Sequence, residues 1–149
     1  MIKRKKEMPE IEKLWADKFA YSASGDLEGY DAEGLQALRD EHGAIFLQDG
    51  DHGGMFFVEE KNEPGVWSGG TLVRPDKRGA FAVQLHRDVF DWMFANTNAT
   101  KLQGGVSRDN LAAAAVARAA SPGVKTVRRT SENIVIALTK DDYLKHKRD

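Results

Sequence analysis

Apolar residues recur at Ile11, Leu14, Trp15 and Phe19, three and four positions apart, just after Pro9. That spacing lines one face of a helix, and proline suits its first turn, where an N–H has no partner to lose. Leu35 and Leu38 mark a second helix, with Asp31 as its N-cap and Gly43 as its stop. The periodicity then changes. Residues 44–47 and 55–58 are apolar runs around a Gly/Asp-rich turn and read as an antiparallel hairpin. Residues 66–73 give a third strand, in which Gly69 and Gly70 predict a bulge. A long helix follows, with Ala82, Leu85, Val89, Trp92 and Met93 on its apolar face and His86 on its polar side. Residues 99–106 read as a strand, and 108–120 as an alanine-rich helix capped by Ser107. Residues 124–129 and 133–139 form a last hairpin, and the tail from 141 is a short helix or a frayed end. With 2–7 as a first short strand, the order is β-α-α-β-β-β-α-β-α-β-β. The strand–helix–strand–helix succession over 66–120 requires a parallel crossover. The fold class is therefore α/β (α+β), with helices flanking a mixed sheet.

Composition narrows the function. The 149 residues are 41% hydrophobic and 30% charged, without repeats or linker, which predicts one domain over 1–149. Zero cysteines exclude a disulfide, a thiolate zinc site and a cysteine nucleophile. The basic start is followed by Glu7, Glu10 and Glu12, so no secretory signal is expected; no apolar run reaches bilayer length, and the expected location is the cytoplasm. His42, His52, His86 and His146 are scattered, and Asp49-x-Asp51 lacks the rest of a calcium loop, so no metal is expected. Net charge is −1, but residues 1–70 hold 8 Lys and Arg against 15 Asp and Glu, and residues 71–149 hold 14 against 8. An anionic ligand favours the second half; a plain dipolar surface is the alternative. Nucleic acid is not the expected anion, because the basic residues lack aromatic interleaving.

One turn focuses that charge. Arg74-Pro75-Asp76-Lys77-Arg78-Gly79 sits between a strand and a helix. Either it holds an anion at the helix start, where free N–H groups and positive potential meet, or it is a solvated basic turn. Val73-x-Pro75-x-x-Arg78-Gly79 before a long amphipathic helix, then the strand at 99–106, Asn110 and the alanine-rich helix, resembles the acyl-CoA-binding segment of the GNAT (GCN5-related) N-acetyltransferases. The detailed likeness covers residues 66–139, and the small GNAT-like proteins of tailed bacteriophages are its nearest form.

The resemblance implies a GNAT-like, mixed and mostly antiparallel sheet, acetyl-CoA as cofactor, and an amine acceptor, small molecule or protein. A second copy of the chain or virion proteins are further partners that it allows, and host cytoplasm or virion is the location if a phage encodes the chain. It places the cofactor against Leu72, Val73, Arg74, Lys77, Arg78, Gly79, Ala80, Ala82 and Asn110. Asn110 also sits where it can complete a helix cap. Two departures stand out. In the family pattern Gln/Arg-x-x-Gly-x-Gly/Ala, the small positions fall on Phe81 and Val83, or on Ala80 and Ala82 if the turn is one residue short. The position of the usual acidic tyrosine is Ala117. Glu59 and Glu60, ending the 55–58 strand on opposite faces, are the candidate bases. The expected activity is acetyl transfer to an amine. The alternative is a degenerate GNAT-fold scaffold, either a virion or assembly component or a module that binds a host protein. The acidic first half and the loop at 22–32 suggest a cationic acceptor.

Overall fold

The computed structural model describes residues 1–16 and 31–147. Seven strands form one sheet: β1 (Lys3–Lys5), β2 (Ile45–Asp49), β3 (Gly53–Glu59), β4 (Val66–Val73), β5 (Lys101–Ser107), β6 (Lys125–Arg129) and β7 (Asn133–Thr139). Their spatial order is β1-β2-β3-β4-β5-β7-β6. Among the described strands only β4 and β5 run parallel; every other neighbouring pair is antiparallel. The described helices are α1 (Met8–Trp15), α2 (Ala32–Asp40), α3 (Ala80–Asn96), α4 (Leu111–Ala120) and α5 (Lys140–His146). The expected element order therefore holds, and the tail is a helix whose first turn is capped by Thr139, which accepts from the Asp142 N–H at 3.1 Å. The residue range 17–30, with Phe19, Tyr21, Tyr30 and most of the 22–32 loop, lies outside the described residues.

Alternation along the strands builds two cores. Ile45, Leu47, Met55, Phe57, Trp67 and Val73 point to the face covered by α3 and α4. Phe46, Phe56 and Leu72, one residue out of phase, point to the face covered by α1 and α2, where Ile11, Leu14, Trp15 and Leu35 are fully buried. Asp31 caps α2 as expected, accepting from the Gly34 N–H at 2.6 Å.

Three local expectations are corrected. Gly69 and Gly70 make no bulge, because β3 and β4 pair in unbroken register from Gly53↔Val73 to Glu59↔Trp67. Glycine is needed at 69 for close approach: a Cβ there would stand 1.8 Å from the Phe56 carbonyl oxygen. The register shift lies instead between Thr126 and Arg128. The alanine-rich helix begins at Leu111, after a 3₁₀ turn over Arg108–Asn110, and Asn110 at its N-cap position makes no capping bond through its side chain. His86 is buried.

Candidate functional site

The parallel pair β4–β5 is joined over only three residue pairs, Val66↔Lys101, Trp67↔Leu102 and Ser68↔Gln103. Both strands continue past that point, to Val73 and Ser107. The sheet therefore opens in its middle. Which peptide groups border the opening follows from the pairing on either side. Arg74 N–H donates to His52 O at 2.9 Å and Glu60 N–H to Val66 O at 2.8 Å, so even-numbered residues of β4 bond to β3. Alternation turns the peptides of Gly69, Thr71 and Val73 toward β5. Lys140 N–H reaches Thr100 O at 2.8 Å and Arg108 N–H reaches Glu132 O at 2.9 Å, so even-numbered residues of β5 serve β7. Gln103, Gly105 and Ser107 thus turn toward β4.

The opening leads into a cavity of 470 Å³ between the sheet and helices α3 and α4, lined by 69–73 of β4, 102–107 of β5, Ala82, His86 and Phe90 of α3, and Ala113 and Ala117 of α4. At its open end stands the start of α3. Gly79 precedes the helix at φ 93°, a region open to glycine and strained for side-chain-bearing residues. Val83 is the first N–H to find an intrahelical acceptor, Gly79 O at 3.1 Å, and no side chain among the described residues caps the helix. The N–H groups of Ala80, Phe81 and Ala82 are left as the donors of the first turn. Arg78 lies beside them, and its guanidinium donates to Val73 O at 3.4 Å. Phe81 does not plug these donors. Its ring packs against His52, 6.2 Å between centroids, and over Gly53.

The other face of the sheet carries polar groups at the joined end of the gap. Ser68 donates its hydroxyl to Glu60 Oε1 at 2.5 Å and accepts from Gln103 Nε2 at 2.9 Å. Glu60 is solvent-exposed and borders a surface groove with Glu41, His42, Glu59 and Glu63. Glu59 is tied into a turn, accepting from the Gly65 N–H at 2.9 Å and from the Asn98 amide at 2.6 Å. Those two bonds hold its carboxyl below the usual carboxylate range.

No family model and no curated protein matches the sequence. Solved structures do match in fold. The aminoglycoside acetyltransferase AAC(6')-Ib in complex with paromomycin and acetyl-CoA superposes with a TM-score of 0.76 at 13% identity, over 99% of this chain and 98% of that one. The spermidine N-acetyltransferase from Vibrio cholerae, in complex with CoA and spermine, gives 0.70 at 15% identity over 97% of each. A GNAT-family acetyltransferase from Bacillus anthracis gives 0.67 at 11%, over 94% of this chain and 95% of that one. The chain has the GNAT fold. Identities this low speak for the fold alone.

Within that GNAT fold, the structure brings together six of the nine residues proposed from sequence for the cofactor. Leu72, Val73, Arg78, Gly79, Ala82 and Asn110 line the cavity. Arg74, Lys77 and Ala80 are not among the lining residues. Arg74 is directed to the opposite side, donating to the Asp51 carbonyl and, at 3.3 Å, to the Lys13 carbonyl. Ala117 is buried on the cavity wall. Tyr143 stacks on Phe94 at 4.8 Å and donates to Asp91, so its hydroxyl is committed away from the cavity. Burial, with the Asp91 carboxylate beside it, holds that phenol above its usual value. Among the described residues, no group of three His, Asp or Glu is placed to hold a metal.

Sequence reading missed Ser68, Gln103 and the role of His86. His86 follows Ala82 by one helical turn, a spacing that carries it onto the cavity side of α3. Its Nδ1–H donates to Ala82 O at 2.7 Å, which leaves Nε2 as an acceptor in the neutral ring. Burial pushes its pKa down, against the opposing effect of the Ala82 bond. Above about pH 6.5 the ring is neutral both folded and unfolded. Below that, the unfolded ring takes a proton that the buried ring resists, and stability declines until the folded ring protonates too. The melting temperature of the wild type is expected to fall on the acid side of about pH 6.5, and His86→Gln to flatten that part of the curve in a melting series across pH.

Proposed function

We propose that the chain is a CoA-dependent N-acyltransferase that moves an acetyl group from acetyl-CoA to an amine. The observation that carries this reading is the opening between β4 and β5 with the free first turn of α3 at its end. The amides of Ala80, Phe81 and Ala82, with Arg78 and possession of the positive helix end, suit a diphosphate. From a diphosphate held there, the pantetheine arm runs along the peptide groups of Val73 and Thr71. The arm has about a dozen chain atoms, as many as four residues of extended backbone, so it reaches roughly 14 Å. Val73 to Gly69 is four residues of strand, about 13 Å. The thioester therefore lies where the strands rejoin, beside Ser68 and Gln103. Asn110 and Val73 face the arm, and the strand N–H groups polarise the thioester carbonyl.

The acceptor approaches from the α1/α2 face. Gly69, Gly70, Gly104 and Gly105 border the opening and carry no side chain to block it. Glu60, through the Ser68 hydroxyl, takes the proton as the amine nitrogen forms its bond to the carbonyl carbon and the carbon–sulfur bond breaks, releasing CoA thiolate. The groove, in which Glu41, Glu59, Glu60 and Glu63 outnumber Lys61, favours a cationic amine. Two of the matched acetyltransferases are in complex with paromomycin and with spermine, which supports the same class here. Nothing in the comparisons speaks for a phage or virion origin, and the open cavity speaks against a purely structural scaffold.

The expected result is a rise in melting temperature with CoA and with acetyl-CoA, since a ligand of the native state stabilises it. Acetyl transfer to a polyamine should exceed transfer to a neutral amine, and Glu60→Gln should lower kcat by roughly 10²-fold or more with the CoA shift retained. No shift with either CoA species at millimolar concentration refutes the reading.

A further inference from the structure

We propose that the blind end of the cavity holds an acyl group longer than acetyl, a straight chain of about four to six carbons carried as its CoA thioester. This rests on the CoA reading above. The arm ends at the level of Gly69, but the cavity does not. On β4 its lining stops at Gly69, but elsewhere it reaches Phe90 of α3, Leu102 of β5, Leu138 of β7 and Val124, just before β6. Leu102 pairs with Trp67, two residues beyond Gly69, and Leu138 pairs with Leu102. Two residues of strand add about 7 Å, which takes some five or six chain atoms at the spacing of extended backbone. An acetyl group adds one carbon beyond the carbonyl and leaves most of that length unfilled. These walls are apolar, and Phe90, Leu102, Val124 and Leu138 are all buried. The α4 wall is Ala112, Ala113, Val116 and Ala117, with Ala113 and Ala117 one turn apart. A larger residue at 117 would occupy the blind end.

The test is a set of binding titrations on the full chain with CoA, acetyl-CoA, butyryl-CoA and hexanoyl-CoA. Each fully buried methylene is worth roughly a fourfold gain in affinity. Hexanoyl-CoA carries four more methylenes than acetyl-CoA and is expected to bind about 250-fold more tightly if all are fully buried and at least about tenfold more tightly if they are half buried, with butyryl-CoA between them. Ala117→Leu is expected to bring the hexanoyl-to-acetyl ratio close to one; if that variant does not fold, Ala117→Val, a smaller fill of the same place, is expected to lower the ratio part of the way. Acetyl-CoA binding as tightly as hexanoyl-CoA in the wild type overturns the proposal, as does a ratio that survives both substitutions. In either case binding of free CoA leaves the donor site standing. If free CoA does not bind, the underlying reading falls as well.

Discussion

Gly69→Ala is expected to destabilise the protein by about 3 kcal/mol or more, the upper end of what overpacking costs. A Cβ at 69 would stand 1.8 Å from the Phe56 carbonyl oxygen and 2.8 Å from Phe57 Cδ1. The first of these is main chain, so relief requires β3 and β4 to move apart at the centre of the sheet. For a chain of this size the loss corresponds to a melting temperature roughly 6–12 °C lower. Gly105→Ala, across the opening, supplies the contrast. Nothing lies within 4 Å of a Cβ there, and its stability should stay within about 0.5 kcal/mol of wild type. Urea unfolding of the two variants measures both. A Gly69→Ala protein as stable as Gly105→Ala would show that β3 and β4 do not approach as closely as described. The same substitution bears on the site, because the parting of β4 from β5 begins at Gly69.

The order of elements was legible because period-two and period-3.6 patterns switch cleanly along the chain. Phe46 between Ile45 and Leu47, and Phe56 between Met55 and Phe57, belong to opposite faces of a sheet covered on both sides. Such strands read as continuous apolar runs, and the hairpin turn between them marks their limits. The basic turn was legible for the same local reason: its residues are contiguous.

What could not be read depends on residues far apart. The opening exists because β5 pairs with β7 along its whole length but with β4 over only three residues, and no local pattern records where two strands separated by a helix stop pairing. The bond from Gln103 to Ser68 joins neutral polar residues 35 positions apart, a pairing without sequence signature, and Ser68 in turn donates to Glu60. His86 was misplaced because a single polar residue on a helix was assigned to solvent, although Ala82 and Phe90, one turn to either side, share its face and are both buried. Phe81 falls on a position that the family pattern gives to a small residue, and only the structure shows which side its ring takes: it belongs to the packing around Gly53 and His52.

Gly79→Val is expected to weaken CoA binding by roughly 5- to 150-fold while the fold persists. The φ of 93° at position 79 is what lets the chain leave the basic turn and enter α3 with its first amides free. A β-branched residue in that region carries strain of about 1–3 kcal/mol. Relief comes from rotating the turn, which redirects the N–H groups of Ala80, Phe81 and Ala82. At about 1.4 kcal/mol per tenfold, that strain sets the stated range. Gly79 is exposed and a Cβ there meets nothing within 4 Å, so the cost is conformational and does not spread into the core. Titrating CoA and ADP into wild type and variant separates the cause. The two ligands share the diphosphate and differ in the pantetheine arm, so misdirected amides weaken both by a similar factor. Loss confined to CoA would place the diphosphate elsewhere and the damage along the arm. Unchanged affinity for both, with a lowered melting temperature, would show that the helix start does not hold the donor.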